Sequence, residues 1–228
     1  TVARYQARGR RALWDILRRG RVPIVCGGTG FYIDALLYDY PLPSVAPNLV
    51  LRKKLDAMDT RALCVFLQRL DPSRYKNIDI HNRRRLVRAI EIAKELGSVP
   101  RLKTENLRLK TGYEVLKIGI LLSKEELQKR IHGRLMKRLR IGMIKETTQL
   151  HKNGISWKRL HTLGIEYKYA AHYLQGNITR EVMIEAILRE SYQYAKRQMT
   201  WFKRDSSIYW IRTPHEALAL IKHFLQKK

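Results

Sequence analysis

The chain has only two cysteines, Cys26 and Cys64, among 228 residues. Two isolated cysteines make neither a disulfide framework nor a zinc site, and they read as bland thiols of a reducing compartment. No apolar run approaches the roughly 20 residues needed to span a bilayer. The first 21 residues hold seven arginines and no long apolar core, so they do not read as a signal peptide. Carboxylates are scarce, with 20 Asp and Glu against 46 Lys and Arg, a net charge of +26. They are also dispersed, so none can be named as a general base. The seven histidines are scattered, without Cys or carboxylate at ligand spacing. No Ser–His or Cys–His arrangement suggests a covalent nucleophile. Internal repeats and low-complexity segments are absent.

What is present is enough apolar material for a core, 45% of the chain, and a surface attractive to polyanions. Nucleic acid is the first candidate and an anionic membrane the second, with a generally basic, solvated surface as the plainer alternative. The chain opens on Thr1 inside an amphipathic helical pattern, and the expectation is a fragment of a larger protein.

Residues 2–19 read as a helix with Tyr5, Ala12, Leu13, Ile16 and Leu17 along one stripe and Gly20 at its end. Val22 to Val25 reads as a short buried strand, followed by a glycine turn and a helix over Thr29 to Tyr38. Helix, strand, glycine turn, helix is a piece of an α/β fold with a mainly parallel sheet. Pro41, Pro43 and Pro47 break the pattern. Helices are expected at 48–57, 60–70 and 81–96. A basic stretch opens at Pro100, and Glu114 to Leu122 reads as a second buried strand. Ser123 with Glu126 forms a capping box for a helix from about 124. Thr179 caps a long helix to about Lys203, Ile208 to Ile211 reads as a final strand, and 214–226 as a terminal helix. The domain expectation is a core formed by 1–40 and 112–228, with 41–111 as a helical insertion.

Four constellations could carry chemistry. Gly27-Gly28-Thr29, between strand and helix, aims backbone N–H groups at whatever sits above the turn, and the favoured guest is an anion. It is not a Walker loop, because no Gly-Lys-Ser/Thr follows; glycines also end many strands with no ligand in play. Arg130, Arg134 and Arg138 recur every four residues beside Leu127, Ile131 and Leu135, so they share one helix face. They could grip phosphate oxygens in pairs, or form a solvated basic face. Arg83, Arg84, Arg85 and Arg88 ride a helix whose ridge is Leu86, Val87 and Ile90. RNA backbone contact is the preferred reading there. The Arg88–Glu91 pair is expected on an exposed helix, contributing on the order of half a kcal/mol. Finally, basic and aromatic residues interleave from Tyr192 to Arg204. Lys196, Arg197, Lys203 and Arg204 suit RNA, while Trp201 and Phe202 suit a core.

These motifs carry a resemblance. Pro23-Ile24-Val25-Cys26-Gly27-Gly28-Thr29-Gly30-Phe31-Tyr32 is similar to the Gly-Gly-Thr-x-x-Tyr signature of tRNA dimethylallyltransferases. Asn82 to Glu91 resembles that family's Arg-Arg-x-x-Arg-Ala-x-Glu motif, and Ala195 to Phe202 its Ala-Lys-Arg-Gln-x-Thr-Trp segment. The helix from Arg130 to Gly142 and the turn Leu163-Gly164-Ile165-Glu166-Tyr167 fit in the same order. The resemblance implies an α/β fold, a P-loop-kinase-like parallel sheet with an all-helical insertion that grips the anticodon stem-loop. It implies transfer of a dimethylallyl group from dimethylallyl diphosphate to N6 of the adenosine beside the anticodon of tRNA. Gly27, Gly28 and Thr29 would seat the diphosphate with Arg134 and Arg130, Thr29 and Arg134 acting at the leaving group. Arg83, Arg84, Arg85, Arg88, Lys196, Arg197, Gln198, Lys203 and Arg204 would bind tRNA. Mg²⁺ is implied, with no ligand in this chain, and so is a cytoplasmic monomer without membrane contact. The family's P-loop and aspartate base match no position here, so the chain alone is expected to be inactive. The alternatives are an enzyme prenylating free adenine nucleotides, against which the basic insertion argues, and a non-catalytic RNA-binding remnant.

Overall fold

A computed structural model describes residues 1–38, 42–100 and 114–226. The basic stretch after Pro100 and the break at Pro41 lie outside the described residues. The fold is mostly helical with a small parallel sheet. It divides into two compact units, Thr1–Cys26 with Phe31–Tyr113, and Gly27–Gly30 with Glu114–Lys228.

In the first unit, helix α1 (Val2–Arg18) is opened by Thr1, whose hydroxyl accepts the Arg4 N–H at 3.3 Å. α2 (Gly30–Leu37) supplies buried Ala35, Leu36 and Leu37. The two helices meet through polar and aromatic contacts: Gln6 Nε2 donates to the Ala35 carbonyl at 2.5 Å, and the Tyr5 and Tyr32 rings meet edge-on at 4.9 Å. Gly9 allows this approach, since a Cβ there would lie 2.7 Å from Leu36 Cδ1. The other four helices are α3 (Leu49–Asp56), α4 (Thr60–Leu70), α5 (Pro72–Lys76) and α6 (Arg83–Leu96). Each starts on an Asn or Asp whose side chain accepts a first-turn N–H: Asn48, Asp59, Asp71 and Asn82. Their apolar faces converge on Leu55, Leu63, Leu67, Leu86, Val87, Ala89 and Ile90.

Between α1 and α2 the expected buried strand is not formed. Val22 to Val25 carries no ladder, and Ile24 is 88% exposed. An extended apolar segment becomes a strand only where another pairs with it, and none does among the described residues.

The second unit contains the sheet, β1 (Lys117–Ile120) parallel to β2 (Ile208–Ile211), in register from Lys117↔Ile208 to Ile120↔Ile211. Between them run α7 (Lys124–Arg140), α8 (Met143–Lys152), α9 (Trp157–Leu163), α10 (Ile165–Leu174) and α11 (Arg180–Phe202), with α12 (Pro214–Gln226) last. Ser123 caps α7 by accepting the Glu126 N–H at 3.1 Å. Gly142, at φ 107, sits in the left-handed region and lets α8 leave α7 at once. Leu135, Met143, Ala170, Met183 and Ile187 form the core of this unit.

Candidate functional site

The glycine turn packs on one face of α11. Gln198 Nε2 donates to the Gly28 carbonyl oxygen at 2.8 Å, and the Tyr194 hydroxyl lies 3.4 Å from Thr29 Oγ1. A Cβ on Gly28 would sit 2.0 Å from Gln198 Nε2, and one on Gly30 would sit 2.0 Å from Trp201 Cδ1. Tyr194, Gln198 and Trp201 are spaced i, i+4, i+7, one stripe of the helix. Both glycines are therefore sites of close approach: a side chain at Gly28 would displace the flexible end of Gln198, and one at Gly30 would press on the Trp201 indole. Thr29 remains exposed on this support.

The arginine row of α7 is not uniform. Arg130 donates to Glu126 at 2.7 Å one turn back, and this bond holds the Glu126 carboxyl below its ordinary range. Arg138 pairs with Glu166 and approaches Glu146 at 4.0 Å. Glu146 also accepts the Tyr167 hydroxyl at 2.5 Å, and that hydrogen bond, with burial, raises the Tyr167 pKa. Arg134 is exposed and has no ion-pair partner among the described residues. Of the three, Arg134 is thus the guanidinium left open to an incoming anion.

The arginines of α6 divide similarly. Arg83 Nη2 donates to the Leu55 and Asp56 carbonyls at 2.8 and 3.0 Å, closing the C-terminal end of α3. Arg88 donates to the Val45 carbonyl at 2.8 Å and to Glu91 at 3.3 Å. Arg84 and Arg85 are exposed. Glu91 corrects the expectation of a weak surface pair, because its side chain is 0% exposed. It accepts both Arg52 Nε and Nη2 at 2.8 Å, and the Asn48 N–H at 3.0 Å. Burial pushes this carboxyl up, but the Arg52 and Asn48 hydrogen bonds, helped by Arg88, carry it below its ordinary value.

On α11 and just beyond, Lys196, Arg197 and Lys203 are exposed. Arg197 lies 5.8 Å from the Tyr194 ring centre, and Arg204 stacks on Trp201 at 4.1 Å while donating to the Trp201 carbonyl at 3.1 Å. Gln198, read from the sequence as an RNA contact, is half-buried and braces the turn. Tyr194, which the sequence reading did not place at the site, faces Thr29. Its spacing to Gln198 and Trp201 was the available signal.

Among the described residues no three His, Cys, Asp or Glu side chains come together to hold a metal ion. Mg²⁺ is held through one or two carboxylates together with substrate phosphates and waters, and the turn offers one hydroxyl and no carboxylate. These residues do not form a magnesium site, and no chemical step is assigned to one.

The family described as IPP transferase matches residues 1–205. The chain is 42% identical over 195 residues to tRNA dimethylallyltransferase 2 of Treponema denticola, covering 85% of this chain and 65% of that protein. It is 40% identical over 223 residues to tRNA dimethylallyltransferase 1 of Syntrophus aciditrophicus, covering 95% and 72%. Among solved structures, the full-length tRNA isopentenylpyrophosphate transferase of Bacillus halodurans superposes with a TM-score of 0.66 at 30% identity, covering 100% of this chain and 73% of that one. The chain thus spans about two thirds of the length of these relatives, 65% of the first and 72% of the second.

Proposed function

Since the chain belongs to the IPP transferase family, we propose that its protein transfers a dimethylallyl group from dimethylallyl diphosphate to N6 of the adenosine next to the anticodon of tRNA. The observation that carries this reading is the braced turn, with Gly28 tied to Gln198 and the Thr29 hydroxyl exposed beside Tyr194.

In the transfer, the N6 lone pair forms a bond to the terminal allylic carbon. The bond from that carbon to the diphosphate oxygen breaks, its electron pair leaves with the diphosphate, and N6 passes a proton to the aspartate base that the family resemblance implies, which matches no position in this chain. Charge therefore grows on the leaving oxygens. Thr29 donates a hydrogen bond to them, and Arg134 offers an uncommitted guanidinium. Donors placed where charge develops lower the barrier more than they tighten ground-state binding. Arg130 is a second, locally paired donor. Mg²⁺ would be bound by groups other than those assigned here.

The substrate RNA is held electrostatically. Arg84, Arg85, Lys196, Arg197, Lys203 and Arg204 present cations to phosphates, while Arg83, Arg88 and Gln198 support the elements that carry them. In this reading 41–111 is the helical insertion that grips the anticodon stem-loop. Residues 1–40 and 112–228 belong to a P-loop-kinase-like core, and the enzyme works as a cytoplasmic monomer. Among the described residues no helix is long and apolar enough to cross a membrane.

The test is prenyl transfer by the intact protein, run in parallel on tRNA and on AMP. Transfer to tRNA is expected to dominate. Faster transfer to AMP would overturn the tRNA reading in favour of a free-nucleotide enzyme, and transfer to neither would overturn the activity.

A further inference from the structure

α1 carries a feature that the proposed reaction does not use. Arg4, Arg8, Arg11 and Arg18 are exposed, and none has an ion-pair partner among the described residues. At about 100° per residue they fall within roughly 80° of each other, and at ~1.5 Å per residue their stripe runs about 21 Å. The opposite side of the helix is engaged by α2 through the Gln6–Ala35 hydrogen bond, the Tyr5–Tyr32 contact and the close approach of Gly9 to Leu36. Asp15 lies within the cationic stripe, but Arg19 holds it at 2.8 Å. Like charges at three- and four-residue spacing destabilise a helix, so the stripe opposes folding until an anion covers it.

We infer that the outer face of α1 binds the phosphodiester backbone of RNA. The inference rests on the reading above that RNA is the substrate, and it adds a surface which that reading leaves unassigned. Four guanidinium forks suit phosphate oxygens, and a stripe of about 21 Å spans roughly six nucleotides at ~3.4 Å per step. Such contacts position RNA without reading its bases. A membrane surface fits less well. An interfacial helix buries its apolar face among lipid headgroups, and here the first half of that face is taken by α2, at Tyr5 and Gly9.

The experiment compares wild-type protein with the fourfold variant R4Q/R8Q/R11Q/R18Q in tRNA binding across a salt series. Gln keeps good helix propensity, and circular dichroism checks the fold. The slope of log affinity against log salt is expected to fall by about 3, at roughly 0.7–0.9 for each phosphate that is no longer neutralised. The corresponding fourfold Lys variant should recover most of the slope. If the fourfold Gln variant does not fold, R4Q/R8Q alone should lower the slope by about 1.5 on the same scale. An unchanged slope with intact wild-type tRNA binding overturns the stripe and leaves the proposed function standing. A wild-type protein that binds no RNA overturns both. Loss of binding to phosphatidylserine vesicles with an unchanged RNA slope would assign the stripe to membranes and overturn it for RNA.

Discussion

Gln198 donates its side-chain amide to the Gly28 carbonyl oxygen at 2.8 Å, joining positions 170 residues apart. The bond explains why the glycine turn has a defined place. The turn rests on Tyr194, Gln198 and Trp201 along one stripe of α11, and the Thr29 hydroxyl is presented from that support.

Substitutions at the two glycines should therefore differ in cost. A Cβ on Gly28 meets the far end of a flexible Gln198 side chain, which can move away and forfeit one hydrogen bond. Gly28→Ala should lose about 1 kcal/mol. A Cβ on Gly30 meets the rigid indole of Trp201, so Gly30→Ala should lose about 2 kcal/mol through overpacking. Urea denaturation of both variants checks the order, and equal losses would contradict it.

The Glu91 carboxyl makes a prediction about acid. Its ordinary value is 4.5 and the folded value lies lower. A lowered carboxyl contributes stability that is complete above the unfolded value and disappears as pH falls through the folded one. Below about pH 4.5, wild type should lose stability more steeply than Glu91→Gln. At neutral pH, Arg52→Ala should cost about 3 kcal/mol, because it strips a fully buried carboxylate of its bidentate partner. Denaturation midpoints measured from pH 3 to 7 test both statements.

Local signals in the sequence led to most of the elements. The Ser123 capping box starts α7 and Thr179 caps α11, as the residues imply, and the apolar run before Ser123 contains β1, though only Lys117–Ile120 pairs and none of its residues is buried. These features depend on neighbours within a few positions. What sequence reading missed depends on distance. Glu91 reads as a surface partner of Arg88, yet its main partner Arg52 is 39 residues away. Tyr194 meets Thr29 across 165 residues. Val22 to Val25 has the composition of a strand, but a ladder needs a second chain segment that periodicity cannot supply.

Arg134 and Arg138 of α7 should separate structure from chemistry. Arg138 is tied to Glu166 and Glu146, so Arg138→Ala should destabilise by about 2 kcal/mol, the range for hydrogen bonds to charged groups. Arg134 has no such partner among the described residues, so Arg134→Ala should change stability by less than about 0.5 kcal/mol. Its prenyl transfer should nevertheless fall by at least tenfold, toward the ~10²-fold expected for one lost donor to a developing oxyanion. Thermal unfolding and single-turnover transfer on the same samples distinguish the two roles, and full activity in Arg134→Ala would remove it from the site.

The most direct test of the account is Thr29→Ala in the intact protein, measured for both transfer rate and tRNA affinity. If the braced turn seats the leaving diphosphate, transfer falls by about 100-fold while tRNA affinity stays within about twofold of wild type. Unchanged transfer, or a loss confined to tRNA binding, would contradict the claim that the turn holds the diphosphate.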